Sequence, residues 1–357
     1  MNISQPTKYA VCLTAAVALL TSCGSGASSE LAPAAAGQPS VIKALFNGKV
    51  FSTSVLLAKV AVHHGSVRLH THAIKPNCCG YTKTAFISDG EANAVQMYAY
   101  PTGTYIGQLA SPPEQFGNPS GMCSDRKGNV YIANLQTATI DVYSHSGAFI
   151  KALKDPDGYP GGCAINRKTG DLAVSNLYGP SSSAGGNVIV YPGGTGSPTE
   201  FNAGLYQDFF VGYVNNTSTV WVSGITRSYR AGLVALDTSN GQATPITLGG
   251  ATILGPGTVA WSGKTKTMVV GDQVTLPPTF YLVDPTTYKV TSSVVMSCKV
   301  NLCDIPQATI KGSRLLGPDS VNSRANIFNF PAGGSPIASL TNLEQPIGSA
   351  ISPDVPE

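Results

Sequence analysis

Short apolar runs, each ending on a small or polar residue, recur along this chain from residue 84 onward. The six clearest are Thr84-Ala85-Phe86-Ile87-Ser88-Asp89, Val130-Tyr131-Ile132-Ala133-Asn134, Leu172-Ala173-Val174-Ser175-Asn176, Val220-Trp221-Val222-Ser223-Gly224, Met268-Val269-Val270-Gly271-Asp272 and Leu315-Leu316-Gly317-Pro318-Asp319. Runs this short, bounded by turn residues, predict strands rather than helices. Their last residues fall 42 to 48 positions apart. A leading segment precedes the run, as in Gly121–Asp125 or Gly162–Ile165. A turn lies between the two, as in Arg126-Lys127-Gly128-Asn129, where Gly and Asn supply the left-handed residue of a tight hairpin. A third strand follows, as in Thr139–Tyr143 or Asn187–Tyr191, then a second turn, as in Pro331–Pro336. A fourth strand closes the unit, as in Ala148–Leu153 or Ile337–Leu340. Four strands at a period in the forties predict one blade of a β-propeller.

The two ends of the repeat are complementary. The first unit, from Lys83, lacks a leading strand, and Pro346–Pro353 reads as a leading strand with nothing after it. Joining them closes a ring and removes its exposed edges. The expected fold is therefore all-β: a six-bladed β-propeller of four-stranded blades over residues 83–357, closed by the C-terminal strand. A seventh blade would have to come from residues 41–82, which show no legible repeat and are left unassigned.

Within the second blade, Pro119-Ser120-Gly121-Met122-Cys123-Ser124-Asp125, Gly128-Asn129-Val130-Tyr131-Ile132-Ala133-Asn134 and Ile140-Asp141-Val142-Tyr143 together resemble an NHL-type repeat. The resemblance runs from about Lys83 to the end and is looser in the middle blades. It is interrupted by the insertion Gly179–Gly186 and again near Val274–Pro278. Some propellers of this kind, gluconolactonases and streptogramin lyases among them, are enzymes that hold a metal or a catalytic His over the central channel. The resemblance thus implies a binding propeller or, as the alternative, a metal-dependent lactonase or lyase.

The N-terminus reads as an address. Lys8 supplies a positive start and Tyr9–Leu20 an apolar stretch of signal-peptide length, short for a transmembrane helix. It ends in Leu20-Thr21-Ser22-Cys23-Gly24, which resembles the lipobox of bacterial lipoproteins. That resemblance implies a signal peptide over residues 1–22, cleavage before Cys23, and lipid on the Cys23 thiol and the new amino group. Two or more acyl chains anchor a protein stably where one does not. The alternative is an ordinary signal peptide with a coincidental cysteine. Residues 23–40, rich in Ala, Ser, Gly and Pro, read as a flexible tether. An exported, lipid-anchored protein of the bacterial cell envelope is the expectation.

Composition narrows the partners. Lys and Arg number 22 against 19 Asp and Glu, a net charge of +3 with no basic cluster, so nucleic acid is not expected. No later stretch approaches the roughly 18 apolar residues of a membrane span. The expected state is a monomer whose partners are the membrane, through its lipid, and a protein, glycan or small ligand.

Six cysteines remain after Cys12 leaves with the signal and Cys23 takes lipid. Export permits disulfides. Cys298 and Cys303, five apart across a loop, are the first expected pair. Cys123 and Cys163 stand at equivalent leading-strand positions of consecutive blades, where they either bridge neighbours near the axis or stay as buried thiols. Cys78 and Cys79 are adjacent, a strained geometry for a mutual bond. His63, His64, His70 and His72 cluster just before them and offer zinc or copper ligands, though their spacing matches no zinc module.

The chain has no nucleophile elbow, H-E-x-x-H, P-loop or haem motif. After residue 83 its one histidine is His145, in a turn expected on the rim opposite the second-strand ends, which disfavours a His-based lyase. Those ends carry Asp89, Asn134, Asn176, Asp272 and Asp319, broken by Gly224. A shared face of carboxylates and amides could hold Ca²⁺ or a polar ligand. The competing and preferred reading is that each caps its own following turn. The aromatic stretch Tyr206-Gln207-Asp208-Phe209-Phe210, with Tyr213 nearby, reads as blade packing, with a pocket mouth as the alternative.

Overall fold

The computed structural model describes residues 45–46, 49–50, 82–156, 158–179, 185–298 and 303–354. Cys23, the tether, His63, His64, His70, His72, Cys78 and Cys79 lie outside the described residues. Leu45–Phe46 and Lys49–Val50 pair as a short antiparallel ladder.

Six four-stranded antiparallel sheets account for the rest. Blade 1 comprises Pro346–Ser352, Thr84–Asp89, Ala94–Ala99 and Tyr105–Gln108. Blade 2 runs through Pro119–Ser124, Val130–Asn134, Thr139–Tyr143 and Phe149–Lys154. Blade 3 has Pro160–Ile165, Leu172–Asn176, Asn187–Tyr191 and Thr199–Phe201. Blade 4 has Gln207–Tyr213, Thr219–Ile225, Ala231–Asp237 and Gln242–Pro245. Blade 5 has Pro256–Ser262, Thr267–Asp272, Thr279–Val283 and Val290–Val295. Blade 6 has Thr309–Lys311, Arg314–Asp319, Arg324–Asn329 and Ala338–Leu340. The C-terminal strand is the leading strand of blade 1, with Ser349 opposite Ile87 and Ile351 opposite Ala85. The fold is a six-bladed β-propeller closed by its own tail.

Burial explains the sequence pattern. Second strands are covered on both faces by neighbouring blades, so they read as unbroken apolar runs; Val130–Asn134 and Leu172–Asn176 are buried throughout. Fourth strands are half solvated, and Phe149–Lys154 alternates accordingly. The core lies between blades, as six clusters at six junctions. Phe86 and Met97 meet Met122 and Ile132; Tyr131 and Ile140 meet Val174 and Ile189; Ala173 and Val188 meet Val211 and Val222. Trp221 and Leu233 meet Met268 and Val270; Val269 and Phe280 meet Leu315 and Phe328. The closing junction has the same make, with Leu316 and Ile327 against Ala85 and Ile351.

Hydroxyl groups near the axis tie each blade to the next. Ser88 Oγ donates to the carbonyl of Ser120 at 2.5 Å, Ser120 Oγ to Gly161 at 2.9 Å, Ser175 Oγ to Phe209 at 2.9 Å and Ser223 Oγ to Gly257 at 2.6 Å. Thr258 Oγ1 accepts from the amide of Ala308 at 2.6 Å, and Thr309 Oγ1 donates to the carbonyl of Ser349 at 2.6 Å. Each such bond satisfies a buried carbonyl or amide that the ladders leave over.

Glycine lets the leading strands approach backbone to backbone. A Cβ on Gly121 would stand 2.6 Å from the Cα of Gly162, and one on Gly348 would stand 2.4 Å from the carbonyl of Ser120. Gln307 spans from blade 6 to blade 2 at this level: its Oε1 accepts from the Met122 amide and its Nε2 donates to the Met122 carbonyl, both at 2.8 Å. Gly121→Ala is expected to cost about 1–3 kcal/mol of stability, as overpacking does. Urea unfolding of the variant checks this; an unchanged midpoint would show that the strands separate freely.

Candidate functional site

Every second strand ends on one rim of the ring, here the upper rim. It carries the connections from second to third strand and from each fourth strand to the next blade. The five polar strand-end residues all lie there and all are buried. Apart from Asn176 Oδ1, their side-chain polar atoms are engaged. Asp89 accepts from the amides of Glu344 at 2.6 Å, Gln345 at 2.8 Å and Ala92 at 3.3 Å. Asp272 accepts from the amides of Leu254 and Gly255, both at 2.9 Å, and of Val274 at 3.2 Å. Asp319 accepts from the Asn322 side chain at 2.9 Å and from the amides of Asn322 and Asp304. Asn134 accepts from the Gly117 amide at 2.7 Å and donates to Asp141 at 2.8 Å. Asn176 donates to Asn187 Oδ1 at 2.8 Å and Asp155 Oδ1 at 3.3 Å.

Asp89, Asn134, Asp272 and Asp319 hold the loop that enters their own blade's leading strand. Burial raises the Asp89 and Asp319 carboxyls above their ordinary range, against the pull of these hydrogen bonds. Among the described residues, the group of His, Cys, Asp or Glu ligand atoms within 4.8 Å of one another is Cys298, Cys303 and Asp319. Its two sulfurs are bonded to each other. Cys123 and Cys163 are likewise bonded, stapling the leading strands of blades 2 and 3.

The lower rim carries the turns between first and second strands. His145 sits there, with Nδ1 3.1 Å from Ser352 Oγ. A cavity of about 130 Å³ opens on this side of the axis, lined by Arg167, Trp261, Gln307, Ile351 and Asp354 among others. Asp354 accepts from Arg167 Nε at 2.6 Å, from a second guanidinium nitrogen at 2.8 Å and from Lys311 Nζ at 3.0 Å. Lys311 is buried, and burial lowers its pKa while Asp354 opposes the shift. The carboxylate thus straps blades 1, 3 and 6 across the cavity mouth.

The aromatic stretch divides between core and surface. Phe209, Phe210 and Tyr213 are buried between blades. Tyr206 instead joins a row on the upper rim of blades 3 and 4. Tyr159–Tyr178, Tyr178–Tyr206 and Tyr206–Tyr229 are edge-to-face, with ring centroids 6.5, 6.0 and 5.7 Å apart. The Arg227 guanidinium lies over the Tyr206 ring, 5.8 Å from its centroid. Gln207 Nε2 donates to the Tyr178 hydroxyl, whose pKa burial pushes up to about 12. Tyr159 is 51 % exposed, so the row is open to solvent at that end. Sequence reasoning placed one member, Tyr206, and missed Tyr159, Tyr178 and Tyr229. A signal existed: Tyr159 and Tyr206 each directly precede the leading strand of their blade, and Tyr178 and Tyr229 each follow a second strand.

No protein-family model and no curated protein matches the chain. Solved structures do. The chain is similar to one in a crystal structure of a nidogen/laminin complex, with TM-score 0.60 at 11% identity, over 76% of this chain and 98% of that one. It is also similar to a chain of Kuenenia stuttgartiensis hydrazine synthase, with TM-score 0.50 at 14% identity, over 68% of this chain and 72% of that one. Likeness at such identities concerns the fold.

Proposed function

We propose that the protein is a non-catalytic binding propeller, tethered to the bacterial envelope by lipid on Cys23, that takes its ligand on the upper rim of blades 3 and 4. The observation that carries this reading is the tyrosine row. Tyrosine offers a large amphipathic surface with few rotatable bonds, so ordering it on a ligand costs little. The second strands of these two blades end on Asn176 and on Gly224-Ile225 rather than on carboxylates, and the acid next in sequence to Tyr206-Gln207, Asp208, is buried. An extended, uncharged ligand with alternating apolar faces and hydroxyls suits such a surface, and a neutral glycan is that chemistry. Two disulfides accord with an oxidising compartment, and the NHL-like repeat with a binding role.

A metal-dependent lactonase or lyase working through Asp89, Asp272 and Asp319 finds less support, since their oxygens accept from main-chain amides of separate blades. Calcium-dependent lactone turnover lost in Asp272→Ala would restore it.

The test is calorimetry with neutral oligosaccharides chosen from a glycan array, on the wild type and on Tyr178→Ala and Tyr206→Ala. Each substitution is expected to weaken binding by roughly thirty-fold, about 2 kcal/mol, as a central tyrosine anchor does. Retention of wild-type affinity by both variants would refute the row as the site. Metabolic labelling with a fatty acid checks the anchor: Cys23→Ala is expected to lose the label and leave the membrane fraction.

A further inference from the structure

Asp208 stands wholly buried at the upper end of the leading strand of blade 4, and neither of its carboxylate oxygens has a hydrogen-bond partner. No ion pair among the described residues reaches it. Stripping a carboxylate of water without replacement is so costly that native structures nearly always supply a partner. Burial alone pushes its carboxyl well above the ordinary range.

Three further features bear on it. The Oδ1 of Asn176, at the end of the second strand of blade 3, is also buried and without a partner, while its Nδ2 is fully engaged. Two glycines let the backbone close up tightly here. Gly224 is the register partner of Asp208, and a Cβ on Gly186 would lie 2.9 Å from Asp208 Cγ and 2.7 Å from the Asn176 main-chain oxygen. The Asp208 carboxyl and the Asn176 backbone oxygen therefore lie close to one another beside Gly186. Finally, the surroundings are acidic: Asp155 lies 3.3 Å from Asn176 Nδ2, and Glu200 accepts from Asn187 at 2.9 Å.

We propose that this junction between blades 3 and 4 binds one Ca²⁺, held by the carboxylate of Asp208, the Oδ1 and main-chain oxygen of Asn176, and water. All its donors are oxygen, which selects a hard cation over zinc or copper. Irregular, mixed carboxylate and carbonyl ligation suits Ca²⁺, whereas Mg²⁺ demands a compact octahedron. The ion supplies the missing partner of two buried groups at once. It also steadies the row, because Asp208 follows Tyr206 and Gln207, and Gln207 is bonded to Tyr178. The site does not depend on what the row binds.

The experiment is thermal unfolding of the purified protein in EGTA, in millimolar CaCl₂ and in millimolar MgCl₂, with a Ca²⁺ titration by calorimetry. Ca²⁺ is expected to bind one per chain and raise the melting temperature by several degrees, with Mg²⁺ doing much less. Asp208→Asn keeps shape and removes charge; it should fold and lose the response. A wild type that melts identically in EGTA and Ca²⁺ and gives no binding heat overturns the proposal. So does an Asp208→Asn variant that responds as the parent does. Should that variant fail to fold, the wild-type titration alone decides.

Discussion

Removal of residues 346–357 is expected to abolish the cooperative unfolding of the domain. Pro346–Ser352 is buried along its whole length and supplies the leading strand of blade 1. Its loss exposes the ladder edge of Thr84–Asp89 and opens the junction where Ile351 and Ala85 meet Leu316 and Ile327. Asp89 loses the loop it holds, since the amides of Glu344 and Gln345 are no longer fixed beside it. Thr309 loses the carbonyl of Ser349, and Arg167 and Lys311 lose Asp354. The combined effect exceeds the whole stability of an ordinary domain, about 5–15 kcal/mol. The truncated chain should aggregate through its open edge or show no sharp melt by calorimetry, and a synthetic peptide of residues 346–357 should restore part of the transition. A truncated form that melts like the parent would mean that blade 1 is not closed by the tail.

That closure was legible because strand pairing leaves its mark on both partners: Lys83 begins a unit without a leading strand, and Pro346 begins one without followers. The second strands were legible for a related reason. Neighbouring blades bury both faces of Val130–Asn134 and Leu172–Asn176, so the apolar run is unbroken and its polar end stands out. Cys123 and Cys163 showed as neighbours because they share a place in consecutive blades. Groups whose meaning depends on another blade were not legible. Asp208 reads as one residue of an aromatic stretch; its isolation becomes visible only when Gly186 and Asn176 of blade 3 are set against it. Tyr178 borders an insertion that blurs the repeat, and it joins Tyr206 only across the junction. The strap formed by Asp354 links residues 187 and 43 positions apart with no shared motif. The strand-end residues were legible as a shared rim, and the sequence favoured turn caps over a ligand face for them. In the fold they lie beside the amides of loops such as Gly117 and Gly255.

Asp141→Asn is expected to make the protein less sensitive to rising pH. Asp141 is buried in the third strand of blade 2, accepting from Asn134 at 2.8 Å and from Thr139 at 3.3 Å. Burial raises its carboxyl from 3.8 to about 6; the two hydrogen bonds oppose this, and Glu114 adds to it. Well below pH 3.8 the group is protonated in both folded and unfolded chains and contributes no pH dependence. Between about 4 and 6 the folded chain holds a proton that the unfolded chain has released, so stability falls as pH rises through that window and then levels off. The shift corresponds to roughly 3 kcal/mol. Asparagine keeps an acceptor for Asn134 and carries no charge to desolvate. Urea unfolding of both proteins from pH 4 to pH 8 should therefore show the variant gaining on the wild type by about that amount across the window, with most of the gain before pH 7. The comparison cancels the other raised carboxyls, Asp89, Asp208 and Asp319, which are present in both proteins. A constant difference between the two curves at every pH would mean that Asp141 is ionised in the fold at no cost, and that the Asn134 and Thr139 bonds fully compensate its burial.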